Sequence, residues 1–127
     1  MDKNKRILLI DDEEVITFGF SMVLKEPGVE LDCANTLEEA QQCINAHLYD
    51  AAIIDLRLSN SVQMEGFDCI RLLRSRQPGC RIIVMTAFGD NGSREKAKEL
   101  GADLFFEKPM EPETVKDMLK TLGIFEN

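Results

Sequence analysis

The sequence contains no tryptophan, a single tyrosine and a single histidine, and its few cysteines are scattered. The cysteines are Cys33, Cys43, Cys69 and Cys80. No two of them have the C-x-x-C spacing of a zinc or redox site. We therefore expect reduced thiols that serve as small core residues. The histidine, His47, is expected at the surface, without a metal-binding or group-transfer role.

Basic residues and long apolar segments are also scarce. The 127 residues include 15 Lys and Arg against 23 Asp and Glu, which gives a net charge of -8. Because nonspecific nucleic-acid affinity comes from clustered basic side chains, we expect no direct nucleic-acid partner. The apolar run nearest the N-terminus covers only residues 7–10, and no run is long enough to span a bilayer. The sequence predicts a cytoplasmic protein without a membrane partner.

Short apolar runs followed by helical patterns make up most of the chain. Hydrophobic residues are 44% of the sequence, enough for one packed core, so we expect a single domain over residues 1–127. Runs that are apolar on both faces are typical of strands covered by helices. They occupy residues 6–10, 29–33, 51–54, 81–86 and 104–106.

The strict alternation of strands and helices predicts an α/β fold. We expect a three-layer, doubly wound (βα)5 architecture whose five-stranded parallel sheet has the flavodoxin-like order 2-1-3-4-5. The first helix carries apolar residues over more than half of its circumference, so we expect it to be heavily buried. The fourth helix has only Ala97 and Leu100 as strong inward candidates, so we expect it to be the least firmly held.

Polar residues follow four of these strands. Asp11 and Asp12 follow the first strand, and Asp55 follows the third, which is its neighbour in the predicted order. Carboxylates in one cleft repel each other unless a cation lies among them, and all-oxygen ligation suits Mg²⁺. The fourth strand ends on Thr86, and Lys108 follows the fifth.

A carboxylate, a metal site, a hydroxyl and an ammonium group at one edge suit phosphoryl transfer to a carboxylate. We therefore predict an aspartyl phosphate at Asp55. Each residue alone has a plainer interpretation: Asp11 and Asp12 as a solvated helix start, Asp55 and Lys108 as turn residues. The convergence of four strand ends on one edge favours the chemical interpretation.

Four fragments, in order along almost the whole chain, resemble the receiver domains of bacterial two-component response regulators. They are Ile10-Asp11-Asp12-Glu13, Ile54-Asp55-Leu56, Met85-Thr86-Ala87 and Glu107-Lys108-Pro109. The resemblance implies that Asp55 accepts a phosphoryl group from a phosphohistidine on a sensor histidine kinase or a phosphotransfer protein. Asp12 would bind Mg²⁺ directly and Asp11 mainly through water. Asp55 and the backbone carbonyl of Arg57 would be further ligands.

The resemblance also implies a two-state switch. Lys108 would pair with the phosphoryl group, and Thr86 would move to bond it. The space that Thr86 vacates would let the ring of Phe105 turn inward. The output surface would be the fourth helix, the fifth strand and the fifth helix, offered to a downstream protein or to a second copy of the chain. We expect no output domain within this sequence, so that the protein either acts alone or is one piece of a longer chain.

The sequence departs from the family beside the predicted acceptor. Ser59 stands where a proline is common, and a longer loop runs on to Gly66. Arg57 and Phe88 occupy positions whose side chains influence loss of the phosphoryl group, and a bulky Phe88 would hinder the attacking water. We expect a longer-lived phosphoaspartate.

Three functions compete. The leading one is a phosphorylation-dependent interaction switch, which assists its own phosphorylation and is not an enzyme acting on a separate substrate. The second is a Mg²⁺-dependent phosphatase or phosphotransferase acting on small molecules, which the absence of a cap domain in the sequence disfavours. The third is a receiver-shaped module that is never phosphorylated; the retained Asp55, Thr86 and Lys108 argue against it.

Overall fold

The computed structural model describes residues 4–56, 65–87 and 91–125. Strands and helices alternate strictly within these ranges. The strands are β1 (Lys5–Ile10), β2 (Val29–Ala34), β3 (Ala51–Asp55), β4 (Arg81–Thr86) and β5 (Leu104–Glu107). The helices are α1 (Glu14–Leu24), α2 (Leu37–Ala46), α3 (Glu65–Arg76), α4 (Asn91–Leu100) and α5 (Pro112–Thr121).

The strands form one parallel sheet in the order β2-β1-β3-β4-β5, which confirms the predicted topology. Ile10 pairs with Ile54 across β1 and β3, and Asp55 pairs with Met85 across β3 and β4. The carboxyl ends of the central strands therefore lie level with one another. This edge of an open α/β sheet is where such folds bind ligands.

Apolar residues on both faces of the central strands account for the three layers. Leu8 and Ile10 face a core that α2, α3 and α4 complete, whereas Ile7 and Leu9 face a second core completed by α1 and α5. All four side chains are fully buried. Successive strand residues point to opposite faces, so a run without polar residues is stable only between two layers of helices.

The first helix is less buried than the sequence predicts. Phe20 and Leu24 face the sheet, but Val15, Phe18 and Met22 are 82%, 68% and 70% exposed. The three exposed residues recur at i, i+3 and i+7, so they share one helix face, opposite the buried one. The prediction of heavy burial was wrong because a helix lying on a sheet buries only the face turned toward it.

The fourth helix matches its prediction of sparse inward contacts. Only Ser93 and Ala97 are buried, and Leu100 is half-buried against the core. No helix in the described ranges is both long and apolar enough to cross a bilayer.

The cysteines and the histidine divide between core and surface. Cys69 and Cys80 are buried, and burial raises the pKa of each thiol to about 12. Cys33 is exposed, so its predicted role as a core residue was wrong; it lies on an edge strand that helices cover incompletely. His47 is exposed, as predicted.

Gly66 lets α3 start directly against the end of β3. A Cβ at this position would lie 2.5 Å from the carbonyl oxygen of Asp55 and 2.5 Å from the Cα of Leu56. The Gly66 N–H donates to the Leu56 carbonyl at 2.9 Å, which fixes this close approach. Because the neighbours are backbone atoms, they cannot move aside as a flexible side chain would.

We expect Gly66→Ala to lower the free energy of unfolding by about 2 kcal/mol or more, since overpacking against backbone forces the strand end to shift. Gly79→Ala is the matched control, because a Cβ there would meet nothing within 4 Å. Urea denaturation of both variants measures the difference. Equal free energies of unfolding for the two variants would show that the backbone of Asp55 and Leu56 can shift without cost.

Candidate functional site

The residues predicted to carry chemistry meet at the carboxyl edge of the sheet. Asp11 directly follows β1, Asp55 is the last residue of β3, and Thr86 is the last residue of β4. Lys108 follows β5, and its backbone N–H donates to the carbonyl of Thr86 at 2.9 Å. Asp12 completes the set beside Asp11. The predicted ligand Arg57 lies outside the described residues, as do Ser59 and Phe88.

Three carboxylates converge closely enough to share one cation. One oxygen from each of Asp11, Asp12 and Asp55 lies within 4.8 Å of the others. Asp11 is fully buried and Asp55 is 5% exposed, whereas Asp12 is half-buried. Burial raises the pKa of Asp11, against the opposing effects of Lys108 and of the Glu13 N–H. The charged form of Asp11 therefore carries a desolvation penalty that a bound cation would offset.

Lys108 supplies the positive charge that the structure itself contains. Its Nζ lies 2.8 Å from Asp11 Oδ2, 2.7 Å from Glu13 Oε1 and 3.0 Å from Asp55 Oδ2. The side chain is only 8% exposed. Burial opposes the ammonium charge, but the adjacent carboxylates of Asp11 and Glu13 outweigh it and raise the pKa of Lys108. The lysine is therefore firmly cationic, and its donors point into the cluster.

Asp11 keeps one oxygen poorly coordinated. Its Oδ1 accepts a hydrogen bond from the Glu13 N–H at 2.9 Å. Its Oδ2 is buried and touches Lys108 Nζ as an ion pair, yet no hydrogen-bond donor of the described residues meets it with good geometry. A buried carboxylate oxygen left in this state is costly unless a ligand completes it.

This donor set fits a hard divalent cation. Carboxylate oxygens in a cluster, with room for waters from the half-buried side of Asp12, suit the octahedral all-oxygen ligation of Mg²⁺. A bound Mg²⁺ ion would supply positive charge beside Asp55, where a transferred phosphoryl group would carry negative charge.

Thr86 and Phe105 occupy the same side of neighbouring strands. Phe105 pairs with Val84, and alternation places the side chains of Val84 and Thr86 on one face of β4. Thr86 is fully buried, whereas Phe105 is half-buried against the same core. Arg94 of α4 lies over the exposed side of the ring, with its guanidinium carbon 4.7 Å from the centroid, and contacts the Phe105 carbonyl at 3.4 Å.

Two residues at the site were not anticipated. Glu13 belongs to the fragment Asp11-Asp12-Glu13, and its acidic side chain signalled only a helix start, yet it reaches Lys108 across 95 positions of sequence. Arg94 is an exposed residue of a polar helix, and nothing in the sequence connected it with Phe105. Both contacts depend on tertiary packing that local patterns do not encode.

The fold and this acidic edge define the receiver class of signalling domains. The family model described as "response regulator receiver domain" matches residues 7–120, so the chain belongs to that family. It is a receiver domain of the two-component response regulators that act in phosphorelay signal transduction.

Curated relatives agree. The chain is 29% identical over 120 residues to the photosynthetic apparatus regulatory protein RegA of Cereibacter sphaeroides, covering 94% of this chain and 64% of RegA. It is 27% identical to sporulation initiation phosphotransferase F of Bacillus subtilis, covering 92% of both. It spans only 25% of the transcriptional regulator AlgB of Pseudomonas putida, at 29% identity over 91% of this chain.

Solved structures show the same fold. A CheY-like response regulator receiver domain protein from Methanospirillum hungatei has a TM-score of 0.86 at 26% identity, covering 94% of both chains. A response regulator protein from Burkholderia pseudomallei, solved with a phosphorylated aspartic acid, calcium ion and citrate, has a TM-score of 0.80 at 27% identity. The match covers 98% of this chain and 75% of that one.

We expect Mg²⁺ to raise the melting temperature of the protein. A cation that binds the folded state alone stabilises that state by about 2.7 kcal/mol when its concentration is a hundred times its Kd. Asp12→Asn removes one carboxylate of the cluster and should abolish most of the shift. Asp117→Asn changes the same charge at an exposed position of α5 and should keep it. Differential scanning calorimetry with and without Mg²⁺ measures both. An equal shift in the two variants would place the cation elsewhere.

Proposed function

We propose that this receiver domain accepts a phosphoryl group on Asp55, with Mg²⁺ held by the carboxylates of Asp11, Asp12 and Asp55. The observation that carries the proposal is the convergence of these three carboxylates, two of which, Asp11 and Asp55, also pair with the buried ammonium of Lys108. By the same resemblance that named the acceptor, the carbonyl of Arg57 would be a further ligand. The proposed location is the cytoplasm.

The donor chemistry is a phosphohistidine, on a sensor histidine kinase or a phosphotransfer protein. An oxygen of Asp55 attacks phosphorus as the bond from phosphorus to the imidazole nitrogen breaks, and the bonding electrons leave with the imidazole. Lys108, 3.0 Å from Asp55 Oδ2, neutralises charge on the transferred group, and a Mg²⁺ ion held by Asp11, Asp12 and Asp55 would supply further positive charge there. Water later cleaves the acyl phosphate, releasing inorganic phosphate and restoring Asp55.

The product is a switch rather than a turnover catalyst. Phosphorylation adds negative charge and acceptor oxygens next to Thr86, which moves toward them, and the ring of Phe105 then turns into the vacated space. Such a turn breaks the contact of the ring with Arg94, so α4 loses one of its contacts with β5 at the same time. The surface of α4, β5 and α5 is thereby offered to a downstream protein or to a second copy of the chain.

An exposed apolar stripe on α1 is the docking surface proposed for the phosphodonor protein. Val15 lies in the first turn of α1, three positions after Asp12, and Phe18 and Met22 continue the stripe along the helix. Exposed contiguous apolar residues on a soluble fold mark interaction sites. A donor must bring its phosphohistidine to Asp55, and this stripe starts at the same edge of the sheet.

The acceptor assignment is tested by intact mass after incubation with Mg²⁺ and acetyl phosphate. We expect wild-type protein to gain one phosphoryl group and Asp55→Asn to gain none. Asp50→Asn is the control, because Asp50 precedes β3 at the opposite end of the same strand and should not affect the gain. A mass gain that persists in Asp55→Asn overturns the assignment, and continued release of phosphate from small phosphoesters would favour the phosphatase alternative.

The docking surface is tested with two kinds of donor. Phe18→Asp should slow transfer from an autophosphorylated histidine kinase that serves the wild-type protein by roughly tenfold, since buried aromatic contacts carry much of an interface's energy. Phosphorylation by acetyl phosphate should keep its wild-type rate. Leu48→Asp is the control, because Leu48 is 79% exposed but precedes β3 at the opposite edge. Equal slowing with both donors would indicate a damaged site instead.

A further inference from the structure

Carboxylates surround the ammonium of Lys108 and leave little room for an incoming phosphoryl group. Two of its three N–H donors bond Glu13 Oε1 at 2.7 Å and Asp55 Oδ2 at 3.0 Å, and Asp11 Oδ2 lies 2.8 Å from Nζ as an ion pair. The lysine side chain is only 8% exposed, so little open space remains around Nζ. For Lys108 to bond a phosphoryl oxygen, one carboxylate must withdraw.

Burial decides which carboxylate withdraws. Asp11 is fully buried and its other oxygen is fixed by the Glu13 N–H at 2.9 Å, so it has no solvated position to move to. Asp55 is the proposed acceptor and stays in place. The Glu13 side chain is 57% exposed, so its carboxylate can rotate into water and exchange the ion pair with Lys108 for hydration at little cost.

We infer that Glu13 is a positioning residue that occupies the phosphoryl position on Lys108 in the resting protein and is displaced when the phosphoryl group arrives. This inference rests on the proposed function, since it concerns the same site. It assigns two separate tasks to one residue. The backbone N–H of Glu13 orients Asp11, and the side chain holds Lys108 over the acceptor while competing with the anionic ligand.

If Glu13 competes with the phosphoryl group, its removal should change the affinity for anions in the opposite sense to the loss of a merely stabilising ion pair. Glu13 adds a negative charge beside Asp11, Asp12 and Asp55, at the point where an anionic phosphodonor must enter. Its removal should therefore strengthen binding of anions to the site while leaving the nucleophile untouched. Loss of an ion pair that merely supported the fold would weaken anion binding or leave it unchanged.

The test compares Glu13→Gln with Glu14→Gln at saturating Mg²⁺. Glu14 lies one position along the chain, is exposed and forms no ion pair within residues 4–56, 65–87 and 91–125, so it matches the charge change without the contact. We expect Glu13→Gln to lower the half-saturating concentration of acetyl phosphate and the Kd of beryllofluoride, read by 19F NMR, by about two- to fivefold. The maximal phosphorylation rate should change little, and Glu14→Gln should match wild type in all three.

Glu13→Asp separates contact from charge. The shorter side chain keeps the charge but cannot span the present 2.7 Å contact without movement of the helix start, so most of the gain should appear in this variant too. Unchanged or weaker beryllofluoride binding in Glu13→Gln overturns the inference, as does wild-type behaviour of Glu13→Asp. Asp55→Asn in the Glu13→Gln background must still prevent the mass gain; if it does not, the acceptor assignment itself fails.

Discussion

The balance between one buried ammonium and a cluster of carboxylates governs the functional edge of this protein. Lys108 pairs with Asp11 and Asp55, and Asp12 adds a further negative charge that forms no ion pair among the described residues. Burial raises the pKa of Asp11, because its charged form is poorly solvated there and Lys108 compensates only in part. A divalent cation would relieve this imbalance, and together with Lys108 it would offset the negative charge that a phosphoryl group on Asp55 adds.

The scaffold makes this balance possible because parallel strands end level with one another. β1 and β3 are neighbours, so the residues following their apolar runs meet without any special local geometry. The apolar runs and the polar residues ending them were both evident in the sequence, and the sheet order, the acidic cluster and the approach of Lys108 to Asp55 follow from them. These features are predictable since each depends on strand periodicity and a general rule of sheet topology.

Other features depend on packing that no local pattern reports. The apolar face of α1 formed by Val15, Phe18 and Met22 was predicted to be core. Hydrophobicity alone does not distinguish a helix face that packs on the sheet from one that remains exposed. The reach of Glu13 to Lys108 and the stacking of Arg94 on Phe105 connect residues far apart in sequence. Both contacts involve exposed charged side chains, whose positions are set by their neighbours rather than by propensity.

Family membership explains the general role, and the local contacts suggest how this chain performs it. The most direct test of the central claim is a crystal structure of the protein with Mg²⁺ and beryllofluoride, which mimics a phosphoryl group. We expect beryllium bonded to a carboxylate oxygen of Asp55, Mg²⁺ among the three carboxylates, and Lys108 in contact with a fluoride after Glu13 has turned to solvent. Beryllofluoride bound away from Asp55, or Lys108 still held by all of its present carboxylate partners, would contradict it.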